Sequence, residues 1–166
     1  MVIEKIGFGG GCHWCTEAVF ASLKGVQKVD QGWISSESPN DTLSEAVLVH
    51  FDPSVISLRV LIEIHLLTHQ STSNHSMRKK YRSAVYSFPE NGKETTQLLN
   101  SFAKQFDSPL VTKVLPFVAF EPSPEKYQNY FQKNHGKPFY ETYISPKLSL
   151  LMREFKEFTR VEKNLT

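Results

Sequence analysis

Apolar and polar residues along this chain follow two periods, and the points where one gives way to the other mark out the elements. Residues 2–8 alternate as a strand and run into three consecutive glycines, Gly9-Gly10-Gly11. Residues 14–24 switch to helical spacing, with Val19, Phe20 and Leu23 on one face and Gly25 as a C-cap. Residues 26–34 alternate loosely and predict a second strand, after which Ser35-Ser36-Glu37-Ser38-Pro39-Asn40-Asp41 is a turn cluster. Residues 45–51 are almost continuously apolar and predict a buried strand, closed by Asp52-Pro53. A strongly apolar helix is predicted over 57–67, a polar loop over 68–80, a strand over 81–88, a helix over 89–106 and a strand over 111–120. A short helix over 124–133 and a terminal one over 146–158 complete the pattern. The order β-α-β-β-α-β followed by extra pieces predicts an α+β two-layer sandwich, a ferredoxin-like βαββαβ core with additional C-terminal elements.

Composition narrows the class. With 166 residues, 40% hydrophobic and 12% aromatic, the chain is expected to form one globular domain over 1–166. The net charge is +2, from 19 basic and 17 acidic residues, and the positive charges are scattered. The one basic knot, Arg78-Lys79-Lys80, is short and lacks interleaved aromatics, so it reads as a solvated loop edge and nucleic acid is not an expected partner. No signal-peptide pattern precedes the first strand and no apolar run approaches a membrane span, so a cytoplasmic, monomeric protein is expected.

The only two cysteines, Cys12 and Cys15, follow the glycine run and open the first helix. Glycines let the backbone turn sharply, and unpaired N–H groups at a helix start favour a thiolate. Cys12 is therefore the candidate nucleophile. Cys15, one turn on, is either a resolving thiol or a small buried apolar residue. Too close to staple a fold, the pair reads as redox-active or metal-binding. A zinc site needs four ligands, however, and no second pair among His13, His65, His69 and His75 has ligand spacing, so no metal is expected. Trp14 walls a pocket for an apolar group or belongs to the core; His13 polarises the thiol or is a solvated ring. Glu45 heads an apolar strand, where burial would raise its pKa and suit it to general-acid work; the alternative is a strand-end carboxylate in water. Tyr81, opening its strand, places a hydroxyl at a sheet edge.

Taken together, Gly9-Gly10-Gly11-Cys12-His13-Trp14-Cys15-Thr16-Glu17-Ala18-Val19-Phe20 resembles the signature of the A-type peptide-methionine (S)-sulfoxide reductases, Gly-Cys-Phe-Trp-x-x-Glu after a glycine run. Further motifs follow in the family's order. Gly32-Trp33 stands where the family has Gly-Tyr, and Glu45-Ala46-Val47 resembles the end of its Gly-His-Ala-Glu-Val strand. Tyr81-Arg82-Ser83-Ala84-Val85-Tyr86 resembles Gln-Tyr-Arg-Ser-Ala-Ile-Tyr. Phe120-Glu121, Tyr127-Gln128-Asn129-Tyr130 and Ile144-Ser145-Pro146-Lys147 fit the C-terminal half, so the similarity covers nearly the whole chain.

The resemblance implies reduction of methionine-(S)-sulfoxide in peptides or as the free amino acid. Cys12 would attack the sulfoxide sulfur, with its methyl against Trp14 and near His13. Glu45 would deliver a proton to the departing oxygen and Tyr81 would hydrogen-bond it. The resulting sulfenic acid would be resolved by a second thiol, and a thioredoxin-like or other external thiol would reset the enzyme, with no bound cofactor.

The departures are local. His13 replaces phenylalanine, and the segment carrying a second sulfoxide-binding tyrosine is deleted between Trp33 and Glu45, leaving Trp33 as a nearby indole. His75-Ser76 replaces an Asn-Asp element, Leu43-Ser44 precedes Glu45 instead of His-Ala, and Tyr140 stands where a resolving cysteine is common. That leaves Cys15 or an external thiol to resolve Cys12. A thiol-disulfide oxidoreductase using Cys12 and Cys15, or a non-catalytic sulfoxide-binding or oxidant-sensing relative, remains the alternative.

Overall fold

Six strands form one sheet in the computed structural model, which describes residues 2–160; Met1 and residues 161–166 of the expected domain lie outside the described residues. Four of the strands make its centre: β1 (Glu4–Gly9), β2 (Val26–Ser35), β3 (Ser44–Phe51) and β4 (Ala84–Ser87). They lie in the order β4-β1-β3-β2 with every neighbour antiparallel. Strand β1 thus runs parallel to β2 with β3 between them, and the connecting helix α1 (His13–Ala21) lies on the sheet. The second crossover uses α2 (Leu58–Thr68), N-capped by the Ser57 hydroxyl, which accepts the Val60 N–H at 3.2 Å.

Both helices bury against one face of the sheet. Phe8 of β1 stacks on Phe20 of α1, with ring centroids 4.4 Å apart and 3° between planes. Val47, Val49 and Phe51 of β3 and Leu61, Ile62 and Ile64 of α2 are fully buried around them. Each such side chain contributes roughly 1.5–3 kcal/mol of burial, which makes this the principal core.

The opposite face is covered in another way. The predicted strand over 111–120 splits into β5 (Lys113–Pro116), parallel to β4, and β6 (Ala119–Pro122), antiparallel to β2. These are opposite edges of the sheet, yet only Phe117 and Val118 separate them. Five strand spacings of about 4.8 Å would put the edges of a flat sheet roughly 24 Å apart. Three peptide units reach only about 11 Å, so the sheet curls until its edges meet. The link is pinned on both sides, with Phe117 N–H donating to Ser87 O (2.9 Å) and Val118 N–H to Ser35 O (3.1 Å). Ile34, Ala46, Ala84 and Tyr86 fill the concave side under Leu115, Phe117 and Phe120. Gly7 leaves room there: a Cβ on it would lie 2.9 Å from both Ile34 and Tyr86.

Two boundaries moved for identifiable reasons. The strand expected from residue 81 starts at Ala84, because Tyr81 N–H is bonded to Met77 O (3.0 Å) and Arg82 N–H to the Ser44 hydroxyl (2.7 Å). Helix α1 ends at Ala21, where Ser22 and Leu23 donate to carbonyls three residues back; Gly25 lies beyond the C-cap, in a turn with φ +88°. The helix expected over 89–106 is α3 (Gly92–Ala103). After β6 the chain makes a short 3-10 turn (Glu125–Tyr127), α4 (Tyr130–Lys133), a π turn (Tyr140–Ile144) and α5 (Ser145–Glu154). Tyr140, Ile144, Leu148 and Leu151 are buried in the principal core.

Candidate active site

The glycine exit from β1 positions the cysteines. Gly10 adopts φ +149°, and its Cα lies so close to the His69 ring that a Cβ would collide with it. Cys12 then becomes the N-cap of α1 with an extended ψ of 128°, its carbonyl accepting from the N–H groups of Cys15 (3.1 Å) and Thr16 (3.2 Å). The turn is locked from outside by Arg78, whose guanidinium donates to the carbonyls of Gly10 and Tyr81 at 2.9 Å each, and also to Ser73 and Gln70. Arg78 is therefore a half-buried clamp, not part of a solvated loop edge.

The two thiols are electrostatically unequal. Cys15 donates a hydrogen bond to the Cys12 sulfur, which, with the Trp14 N–H, holds Cys12 below the ordinary thiol range against the opposing effects of burial and the Glu45 charge. The same bond and its own burial drive Cys15 far above that range. Cys12 is thus the more readily ionised of the two thiols, and Cys15 the one that holds its proton more tightly. Lys147, whose ammonium donates to Thr68 O, lies close enough that both cysteines interact with its charge; burial lowers its own pKa.

Glu45 is buried at the head of β3. Its Oε1 accepts the His13 backbone N–H at 3.2 Å, and its Oε2 lies 3.7 Å from Lys80 Nζ. The Lys80 ammonium also lies 5.1 Å above the Tyr81 ring; the Tyr81 hydroxyl first, then Glu45, hold its pKa above the usual value. Glu45, Lys80 and Tyr81 thus form a chain of contacts leading towards the cysteines.

A cleft of about 880 Å³ opens here, and Cys12, Cys15, Thr16, His69, Tyr81 and Tyr143 are among its lining residues. Of the candidates, Cys12, Cys15 and Tyr81 line it directly, whereas Glu45 lies behind the start of α1. His13, Trp14 and Trp33 are not among its lining residues. The His13 ring turns back to Gly32 O, 2.8 Å from Nδ1. Trp33, directly opposite Glu45 in the β2–β3 register, meets the His13 ring edge-on at 5.2 Å. Trp14 stacks on Tyr130 with centroids 4.0 Å apart and 7° between planes, and packs edge-on against Phe139 at 5.4 Å. Among the described residues no cluster of three or more His, Cys, Asp or Glu side chains is arranged to hold a metal ion, and no helix is long and apolar enough to cross a membrane.

Comparison with known proteins decides the family. Residues 4–159 match the sequence profile described as peptide methionine sulfoxide reductase. The chain belongs to the peptide methionine sulfoxide reductase family. Among its relatives, "Peptide methionine sulfoxide reductase MsrA" of Psychrobacter sp. (strain PRwf-1) is 35% identical over 94% of this chain and 98% of its own length. The protein of the same name from Sulfolobus acidocaldarius is 31% identical over 93% and 97%. The fold is shared with reduced Mxr1 from Saccharomyces cerevisiae (TM-score 0.72, 22% identity, 80% of this chain and 86% of that one). It is also shared with Mxr1 in complex with Trx2 (TM-score 0.61, 21% identity, 77% and 84%).

Several residues that build the site were not singled out from the sequence alone. Glu17, fully buried on α1, accepts the N–H groups of Asn129 (3.0 Å) and Tyr130 (3.2 Å) and the amide of Gln31 (3.1 Å). This ties the C-terminal segment over Trp14. Its place in the signature, with Asn129-Tyr130 in a later motif, was the available signal. Lys80 adjoins Tyr81 and Lys147 closes Ile144-Ser145-Pro146-Lys147, but nothing in the sequence pattern shows where either ammonium points.

Proposed function

We propose that this protein reduces methionine-(S)-sulfoxide in peptides and proteins, as a thiol-dependent repair enzyme of one domain. The observation that carries the reading is the pair of free thiols Cys12 and Cys15 at a helix N-terminus, both lining a cleft that also presents Tyr81. Cys12 attacks the sulfoxide sulfur, Glu45 supplies a proton to the oxygen and Tyr81 stabilises the charge developing there. The S–O bond breaks as an S–OH bond forms on Cys12. The Cys12 sulfur loses two electrons, the sulfoxide sulfur gains them, and methionine leaves.

Cys15 then condenses with the sulfenic acid, its proton leaving with the hydroxyl as water and a Cys12–Cys15 disulfide forming. The hydrogen bond between the two side chains supports this step. A thioredoxin-like dithiol, or another external thiol, reduces the disulfide; the yeast relative solved with Trx2 supports that class of partner. We place the enzyme as a monomer in the cytoplasm, where a reducing environment keeps both thiols free. Trp14 enters as the packed support of the substrate wall, with Phe139 between it and the cleft. Trp33 and His13 act behind Glu45, not on the substrate methyl.

The test is turnover of dabsylated methionine-(S)-sulfoxide with dithiothreitol, comparing wild type with Cys12→Ser. Reduction by the wild type alone is expected; no reduction by the wild type defeats the reading. Cys15→Ser with thioredoxin as reductant assigns the resolving thiol: multiple turnover is lost while a single methionine release survives.

A further inference from the structure

The proton that leaves with the oxygen has a second holder. A backbone carbonyl only accepts, so the 2.8 Å contact between His13 Nδ1 and Gly32 O places a hydrogen on Nδ1. The other ring nitrogen, Nε2, then faces Glu45 Oε1 at 3.5 Å. A neutral imidazole opposite a carboxylate would set lone pair against lone pair in a site where both residues are buried, His13 at 6% and Glu45 at 7% exposure. The contact is favourable with one proton between them, either a carboxylic acid donating to Nε2 or an imidazolium donating to the carboxylate. Trp33, edge-on to the ring, limits the water that could take its place.

Resting on the function proposed above, we propose that His13 is a positioning residue that shares one proton with Glu45 and keeps the acid loaded for the leaving sulfoxide oxygen. In the step, the Cys12 thiolate, the sulfoxide and the shared proton become the Cys12 sulfenic acid, methionine and a pair stripped to carboxylate and neutral imidazole. Water reloads the pair. The family signature has phenylalanine at position 13, which holds no proton, so this device belongs to the present chain. The other ionisable groups facing the pair are Lys80 on the Glu45 Oε2 side, Tyr81 through Lys80, and Cys12 and Cys15 from α1. Glu121 lies across from Trp33 on β6.

The pair makes a specific pH signature. Where two groups hold one proton, its loss belongs to the pair and not to either residue alone. The single-turnover rate of methionine release, measured from pH 5.5 to 8.5 for wild type, His13→Phe and His13→Gln, reads this out. The wild-type to variant ratio is expected to widen about tenfold towards the alkaline end for both variants, equivalent to a one-unit shift of the descending limb. A ratio constant across pH is what a purely structural histidine gives, and it overturns the proposal.

Imidazole 15N NMR of the resting wild type and Glu45→Gln decides the point without turnover. A protonated Nδ1 throughout is expected, with an Nε2 signal of shared-proton character that disappears in Glu45→Gln. A His13 ring that titrates identically in both proteins overturns it. A wild type that releases no methionine defeats the proposed function and leaves this NMR result to stand or fall separately.

Discussion

Replacing Cys15 by alanine tests whether the second thiol activates the first as well as resolving it. In the resting site the Cys15 thiol is the largest influence holding Cys12 below the ordinary thiol range. A hydrogen bond to a charged group contributes about 1.5–3 kcal/mol, and Cys12, which is only partly buried in the open cleft, calls for the lower end because water competes for the thiolate. About 1.5 kcal/mol divided by 1.36 kcal/mol per unit raises the Cys12 pKa by roughly one unit in Cys15→Ala. The assay is carbamidomethylation of reduced protein by iodoacetamide as a function of pH, resolved by mass spectrometry. Buried, protonated Cys15 stays silent in the wild type, so the profile reports Cys12. The midpoint is expected to move up by about one pH unit, with a roughly tenfold slower reaction at pH values below both midpoints. Cys15→Ser keeps a donor and falls between. A Cys15→Ala midpoint at or below the wild-type value refutes the reasoning, and would leave the helix N-terminus and the Trp14 N–H as sufficient.

Glu17→Ala should release the C-terminal segment from α1, because it orphans three donors, those of Gln31, Asn129 and Tyr130, at about 1–3 kcal/mol each where they stay buried. Limited proteolysis should then cut within residues 123–139, and Trp14 emission should shift in a Trp33→Phe background; an unchanged digest argues against the tie. His69, held down to about 4 by burial, and His65, held well below its usual value by burial and by His69, take up protons more readily unfolded than folded. Stability is therefore complete above about pH 6.5 and is lost as pH falls from there towards 4, by on the order of 2 kcal/mol at pH 5 for His69 alone. Urea midpoints at pH 7.5 and 5 should differ by correspondingly less in His69→Gln, and equal differences would sink the assignment. Gly32→Ala drives a Cβ into Glu121 O and to 2.9 Å from the Phe120 ring, so β6 must shift off β2. Calorimetry should show a melting temperature lower by roughly 5 °C or more, and an unmoved one would show the strands yield freely.

What the sequence disclosed and what it withheld divide along the range of the interaction. The glycine exit, the N-terminal cysteine and the buried head of β3 are local signals, set by backbone freedom and runs of apolar residues, and each appears where its pattern places it. The split of residues 111–120 is not local. Pro116 is the one local hint of a break there, and only the meeting of Phe117 with Ser87 and Val118 with Ser35 shows that the two halves pair with opposite edges. Tyr81 illustrates the same limit: its place in the cleft follows from Arg78 and Met77 holding it in a loop, not from strand alternation. His13 is the sharpest instance. Its spacing from Cys12 suggests a ring beside the thiol or in the substrate wall. Its direction is instead decided by the Gly32 carbonyl of a strand 19 residues away, which takes the Nδ1 hydrogen and aims the other nitrogen at Glu45. A polar ring substituted for an apolar one next to a nucleophile looks like damage to a methyl pocket when read along the chain. Held against Gly32 of β2 and Glu45 of β3, the same ring becomes a partner for the acid.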